Sequence, residues 1–303
     1  MALRGGLPTA SGAVGVEGVR LVEEALGSDC RIEALLFAES GERHWKRLTA
    51  LIAQKEMAFP VLHTTDRLFA GIADTEHPQG VAALLVPCVV ELEELLGESK
   101  GYGRPAASPE TREKQALHAE NQQAAPACAP LIVVLAGVQD PGNVGTIVRT
   151  AAAFGATGVV TTATGQSGTA NPFGPKAMRA SAGAALHMPI VNGMALGILL
   201  TQLKLKGVRT VASFVHEEFR RSESRDQRPW EEQGTLAPWQ LNWCEGAALL
   251  VGNEGAGLPQ DVVRAADARI HIPMATEVES LNAAAAAAVV LYEAFRQRKK
   301  IGW

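Results

Sequence analysis

From residue 130 onward the chain alternates short apolar runs with helix-patterned stretches, and that rhythm admits few folds. The runs occupy 131–137 (LIVVLAG), 158–163, 188–191, 208–214, 247–252 and 268–274. Runs that are apolar throughout suit strands buried on both faces, because a half-exposed strand would alternate apolar with polar residues. Helices between them then cover both sides of a largely parallel sheet. Residues 216–245 carry HEEFRRSESRDQRPWEEQ and two further tryptophans, break the pattern, and read as a long exposed insertion.

A smaller α/β unit precedes this sheet. Val19, Val22 and Leu26 form a helical stripe, with Gly27 as its expected C-terminal cap. Strands are expected at 31–39, 59–64 and 80–87, with helices at 42–56 and 65–73. Together they make an α/β sandwich over residues 1–97, with no nucleophile–base pair and no metal-ligand cluster. Residues 98–129 lack hydrophobic periodicity and are rich in Ala, Pro, Gln, Glu and Ser, the composition of a flexible linker. A solvated helix at 110–124 is the alternative. The expected division is therefore 1–97, 98–129 and 130–303.

Composition narrows the class. Hydrophobic residues at 47% and charged residues at 20% describe a globular chain. No apolar stretch reaches the roughly 18 residues of a membrane span, and the first residues lack the continuous apolar region of a secretory signal. Cys30, Cys88, Cys128 and Cys244 form no CxxC pair, which argues against a zinc site or disulfide framework and for a reducing cytoplasm. Neither a metal nor a membrane is expected as a partner. The net charge of −4 divides unevenly: 8 Lys+Arg against 14 Asp+Glu in 1–97, 4 against 4 in 98–129, and 16 against 14 in 130–303. A nucleic-acid partner would have to be met by local basic patches and not by a global field.

Three strand ends in the larger unit carry glycines or amide side chains, and open α/β sheets collect ligands at such ends. In the first, an apolar strand runs into Asp140-Pro141-Gly142-Asn143, a strong turn signal, and a helix is expected from about Gly145 to Gly155. Asn143 can cap that helix. Arg149 lies within it, and residues alone leave it as readily a surface arginine as a pocket residue. The second is Gly252-Asn253-Glu254-Gly255-Ala256-Gly257, whose three glycines allow either a plain turn or close approach of backbone to a ligand. In the third, a strand ends near Pro273, and Ser280-Leu281-Asn282 starts a helix with six consecutive alanines at 283–288. Propensity alone explains such a helix; alanine on every face also permits close packing all round. A basic segment at 171–184 adds Lys176 and Arg179, either phosphate contacts or ordinary exposed cations.

In this order the three segments resemble the three motifs of the SpoU-type RNA 2′-O-methyltransferases, which belong to the SPOUT class with a trefoil-knotted α/β domain. The resemblance covers about residues 130–300 closely. Residues 14–87, with Glu17-Gly18 early and His77-Pro78-Gln79-Gly80 late, resemble more weakly that family's N-terminal substrate-binding domain, itself similar to RNA-binding ribosomal proteins. The resemblance implies a C-terminal α/β knot, S-adenosyl-L-methionine as cofactor, RNA as substrate, and a homodimer formed through the catalytic domain. It implies catalytic roles for Asn143, Arg149, Glu254, Ser280 and Asn282. Gly252, Ile272 and Leu281 match positions whose backbone holds the cofactor, and Asn253, Gly257 and Met274 extend that set. Lys176, Arg179 and Arg149 become the expected RNA contacts. One departure is visible: many relatives carry glycine where this chain has Thr276.

The implied chemistry needs a ribose 2′-hydroxyl to lose its proton while attacking a sulfonium methyl. The loops that follow the three strands hold no histidine or cysteine. Arg149 would assist, with the RNA phosphate, by stabilising the developing alkoxide, while Glu254 and Asn143 orient it. The terminal helix, with Val289, Val290, Leu291 and Phe295, is the expected dimer face unless it packs within the chain. A dinucleotide-cofactor enzyme would need GxGxxG after a first strand and an acid about 20 residues on, and neither is present. A non-catalytic RNA-binding module would have lost one of Arg149, Glu254, Ser280 or Asn282. The accessory N-terminal unit favours ribosomal over transfer RNA.

Overall fold

A computed structural model describes residues 8–53, 55, 58–96, 129–163, 168–213, 234–275 and 280–300. The expected linker, apart from residue 129, the possible helix within it, Cys128, and Thr276 lie outside the described residues, as does 216–233 of the expected insertion.

The N-terminal unit is built on β1 (Val14–Glu17), α1 (Val19–Gly27), β2 (Arg31–Ala38), α2 (Trp45–Ala53), β3 (Val61–Thr64), α3 (Asp66–Ile72) and β4 (Val81–Val86), with a short α4 (Leu92–Leu95) after it. Its sheet runs β1-β4-β2-β3, with β2 and β3 parallel and the other pairs antiparallel. Two expectations need correction, and one strand was not expected. Gly27 ends inside α1, and Ser28, in extended conformation, supplies the cap. The helix expected from residue 42 begins as a 3₁₀ turn, Glu39–His44, before α2. The edge strand β1 gave no signal, since four residues are too few to show a period.

The larger unit holds β5 (Leu131–Ala136), α5 (Pro141–Ala153), β6 (Gly158–Thr162), α6 (Pro175–Ser181), β7 (Ile190–Met194), α7 (Leu196–Leu205), β8 (Arg209–Ser213), β9 (Thr235–Leu236), β10 (Ala247–Gly252), α8 (Gln260–Ala265), β11 (Ala268–Ile270) and α9 (Ala283–Arg298). The seven strands run β7-β6-β5-β10-β8-β11-β9, and every pairing is parallel. The expected α/β class, with helices on both faces of a largely parallel sheet, is what the structure shows. β5 alternates its buried side chains between two cores. Leu131, Val133 and Leu135 face α5, α6 and α9, while Ile132 and Val134 face the side of α7 and α8.

The strand order fixes where a site can form. After β5 the chain builds β6 and β7 on one side, whereas β10 pairs on the other, with Gly252 opposite Ala136. The sheet changes direction there, so the carboxyl-end loops of β5 and β10 open side by side. The last helix then returns along α5, bringing its N-terminus to the same place.

Residues 234–245 are not an exposed insertion. Trp243 is fully buried, its indole N–H donates to Pro238 O at 2.8 Å, and its backbone amide donates to Gln297 of α9 at 3.0 Å. Nor do the alanines of α9 pack all round: Ala284 and Ala287 are buried while Ala285 is exposed. Val290 and Leu291 are buried within the chain, and Val289 and Tyr292 are 43% and 41% exposed.

The two units share one core. Leu21 and Val22 belong to the same buried cluster as Ile147 and Met178. Arg179 pairs with Asp74 at 2.7 Å and His187 with Glu24 at 3.0 Å across the junction. Packing inside the larger unit is tightest where α5 crosses α6: a Cβ at Gly145 would lie 2.2 Å from the carbonyl oxygen of Ala177. Backbone cannot retreat as a flexible side chain can, so Gly145→Ala is expected to destabilise by about 1–3 kcal/mol. Urea unfolding checks this, and an unchanged midpoint would count against the packing described.

Candidate active site

α5 begins earlier than its sequence suggested, and the reason bears on the site. Asp140 is the N-cap, accepting the backbone N–H of Asn143 at 3.2 Å, and Pro141 occupies the first helical position where its missing N–H costs nothing. Asn143 is therefore not the cap. Its side chain is released for another use.

That use joins the three strand ends. Asn143 Nδ2 donates to Glu254 Oε1 at 2.9 Å, and Asn282 Nδ2 donates to Asn143 Oδ1 at 2.9 Å. Glu254 also accepts the backbone N–H groups of Gln139 and Asp140, each at 3.1 Å. At the other end, Asn282 caps α9 by accepting the amides of Ala284 and Ala285 at 2.9 and 3.3 Å. One continuous chain of hydrogen bonds thus runs from the first turn of α9 through Asn282, Asn143 and Glu254 to the loop after β5. Burial pushes the Glu254 carboxyl up, but the bonds from Asn143, Gln139 and Asp140 outweigh it and hold the group below its ordinary range. Glu254 is an anion held in place.

The other nominated residues divide. Asn253 spends its side chain inside the protein, donating to Gly137 O at 3.0 Å and accepting from Gly255 and Ala256, each at 2.9 Å. The β10 loop closes on itself through paired backbone bonds between Asn253 and Gly257, whose φ of 68° suits glycine. Gly252 is required by that closure: a Cβ there would lie 2.4 Å from the backbone of Gly257. Ser280 is exposed and bonds to no described residue. Arg149 is exposed and likewise unpaired. It lies six residues past Asn143, about 120° around the helix at 100° per residue, so the structure does not bring it into the relay. Lys176 forms an ion pair with Asp140, whose carboxyl it holds below the ordinary range, and Arg179 is held by Asp74. Asp140 was read from sequence only as part of a turn, and the amide of Gln139 not at all; the Asp-Pro dipeptide at a helix start was the available signal for the cap.

Among the described residues, the backbone amides and carbonyls of Ile272, Met274 and Leu281 make no hydrogen bond. Ile272 and Met274 are half-buried and Leu281 is 38% exposed. Unspent backbone donors and acceptors beside apolar side chains suit the edge and face of a purine. The residues present fit S-adenosylmethionine. Among the described residues, no group of three or more His, Cys, Asp or Glu is placed to hold a metal, and no helix is long and apolar enough to cross a membrane.

A parallel sheet with its ligand loops stitched at the switch point defines an α/β cofactor-binding domain. Comparison with known proteins makes the class specific. The SpoU rRNA methylase family model matches residues 130–292, and the model of an MRM3-like substrate-binding domain matches 9–83. The chain belongs to the SpoU rRNA methylase family, and the activity class that goes with it is RNA methyl transfer. It is 28% identical over 277 residues, 91% of this chain and 86% of the relative, to the 23S rRNA (guanosine(2553)-2′-O)-methyltransferase RlmP of Bacillus subtilis. It is 36% identical over 173 residues to the uncharacterized tRNA/rRNA methyltransferase slr1673 of Synechocystis, covering 57% of this chain and 56% of that one. Its fold matches the AdoMet-bound rRNA methyltransferase of Sinorhizobium meliloti (TM-score 0.69, 24% identity, 97% of this chain and 89% of that one). It also matches the SpoU methyltransferase AviRb of Streptomyces viridochromogenes in complex with AdoMet (TM-score 0.70, 24% identity, 95% and 91%).

Proposed function

We propose that the protein transfers a methyl group from S-adenosylmethionine to a ribose 2′-hydroxyl of ribosomal RNA, acting in the cytoplasm as a homodimer. The observation that carries this reading is the Asn282–Asn143–Glu254 relay, which gathers all three motif loops at one sheet end. The relative in Bacillus subtilis, named as a 2′-O-methyltransferase of ribosomal RNA, supports the atom and the substrate.

S-adenosylmethionine, when bound, supplies an electrophilic sulfonium methyl. The backbones of Gly252, Ile272 and Leu281 would hold it, with Gly257 and Met274 beside them and Asn253 keeping the β10 loop in form. Glu254 and Asn143 fix the rim against which the ribose is oriented. Arg149, with no partner among the described residues, is the cation proposed for the developing alkoxide and the RNA phosphate, and the Ser280 hydroxyl, which bonds to no described residue, is a polar group at the start of α9. Lys176 and Arg179 line the approach for the RNA backbone once they exchange their carboxylate partners for phosphate. Residues 130–303 form the catalytic domain, 98–129 the linker and 1–97 the substrate-binding domain in this reading. The half-exposed Val289 and Tyr292 on α9, beside Phe154, supply the dimer face.

Incubation of the full chain with methyl-labelled cofactor and purified ribosomal or transfer RNA tests the substrate. Label in ribosomal RNA alone is the expected result. Label confined to transfer RNA would move the assignment within the family.

A further inference from the structure

We propose that the exposed surface around Trp45 and His63 in the N-terminal unit is a stacking platform for an unpaired base of the RNA substrate, with Arg43 and Lys46 holding the flanking phosphates. The inference rests on the methyltransferase reading above and deepens it by naming the form of RNA taken: a loop or single strand, not a plain duplex.

Residues 1–97 are acidic, with 14 Asp+Glu against 8 Lys+Arg, yet three of those eight cations fall within Arg43-His44-Trp45-Lys46-Arg47. The turn into α2 leaves Arg43, Trp45, Lys46 and Arg47 all exposed. Trp45 is 38% exposed and meets the buried Phe37 edge-on, with centroids 5.2 Å apart and planes at 75°. Phe37 pairs laterally with His63 in the β2–β3 register, and their rings stack at 6.1 Å and 25°. The Trp45 and His63 rings lie 6.1 Å apart. A buried phenyl ring thus underpins two exposed rings, which are held in place before any ligand arrives. A base of any identity has a π-face, so rigid aromatics flanked by cations are what single-stranded RNA stacks upon.

The neighbouring charges leave two cations for phosphate. Arg47 is paired with Glu23, and Glu42 lies 3.4 Å from His63 Nδ1. Arg43 Nε donates to His44 Nε2 at 3.0 Å, which steadies the guanidinium and leaves its terminal N–H groups unspent. Lys46 pairs with no described residue. β3 is the sheet edge opposite β1, and β1 is the strand that packs against α6. The platform therefore lies away from the catalytic unit, where it would grip RNA at a distance from the methylated nucleotide.

Binding of the full-length protein to a fluorescein-labelled stem–loop RNA, and to the same stem closed as a blunt duplex, tests this. Trp45→Ala is expected to weaken stem–loop binding roughly tenfold, to leave duplex binding and cofactor affinity as they were, and to act on KM for RNA more than on kcat. Trp45→Phe, which keeps a ring over Phe37, should recover most of the loss. Lys46→Ala should lower the slope of log affinity against log salt by about 0.7 for one lost phosphate contact, a change that Trp45→Ala does not produce. Wild-type affinity and salt slope in both Trp45→Ala and Lys46→Ala, with an active wild-type enzyme, overturn the platform and spare the function. A wild-type protein that neither binds nor methylates RNA overturns both.

Discussion

Arg149→Ala is expected to slow single-turnover methyl transfer by roughly 10²–10³-fold at saturating cofactor and RNA, the usual cost of removing one electrostatic contact to a developing oxyanion. Cofactor affinity should hold, because the proposed cofactor contacts lie on the loops after β10 and β11 and at the start of α9, whereas Arg149 belongs to α5. Arg149→Lys should restore only part of the rate: an ammonium is a point charge and lacks the planar fork that can span alkoxide and phosphate together. The structure sharpens this expectation. Arg149 is exposed and pairs with no described residue, so its truncation breaks no bond to any of them, and lost rate can be read as lost catalysis. A solvated surface arginine would give a different result, a stability change of about 0.5 kcal/mol at most and no change in rate.

Asn143→Ala is the second large effect. Asn143 is the only side chain in the relay that touches both of the other motifs, donating to Glu254 and accepting from Asn282. A hydrogen bond to a charged group is worth about 1.5–3 kcal/mol, so kcat/KM is expected to fall roughly 10- to 100-fold. The Asn143 bond is one of those that hold the Glu254 carboxyl below its ordinary range, and removing it raises that pKa. The acid limb of the pH–rate profile should therefore move to higher pH in the variant. Asn143→Asp should do worse than alanine at neutral pH, since it sets a second carboxylate against Glu254. A profile that keeps its acid limb in place in Asn143→Ala would separate Glu254 from the rate.

Much of this was legible in the sequence because the relevant signals are local. β5 and β10 are apolar at nearly every position, which marks strands buried on both faces. Asn282 ahead of an alanine run marks a helix start, and it caps α9 as such a residue should. What escaped depended on partners distant in sequence. Asp140 and Asn143 are equally good caps by type, and Pro141 between them decides for Asp140. The released Asn143 amide then finds Glu254, 111 residues away. Trp243 sits beside polar residues with no helical or strand period, and its burial comes from α9 packing over it. The shared core of the two units and the pairing of Arg179 with Asp74 likewise leave no mark in either local pattern. Arg149 shows the limit from the other side: its position in a motif is plain, while its direction is set by the helical turn.

The central claim is that the methyl group goes to the ribose 2′-oxygen, and the most direct measurement is where labelled methyl resides after reaction with RNA. A 2′-O-methyl removes the hydroxyl that attacks the adjacent phosphate in alkali. Alkaline hydrolysis of the product should therefore leave the label in an uncleaved dinucleotide, and digestion to nucleosides should place it on the sugar by mass spectrometry. Label recovered in a mononucleotide, with its mass on the base, would contradict the account.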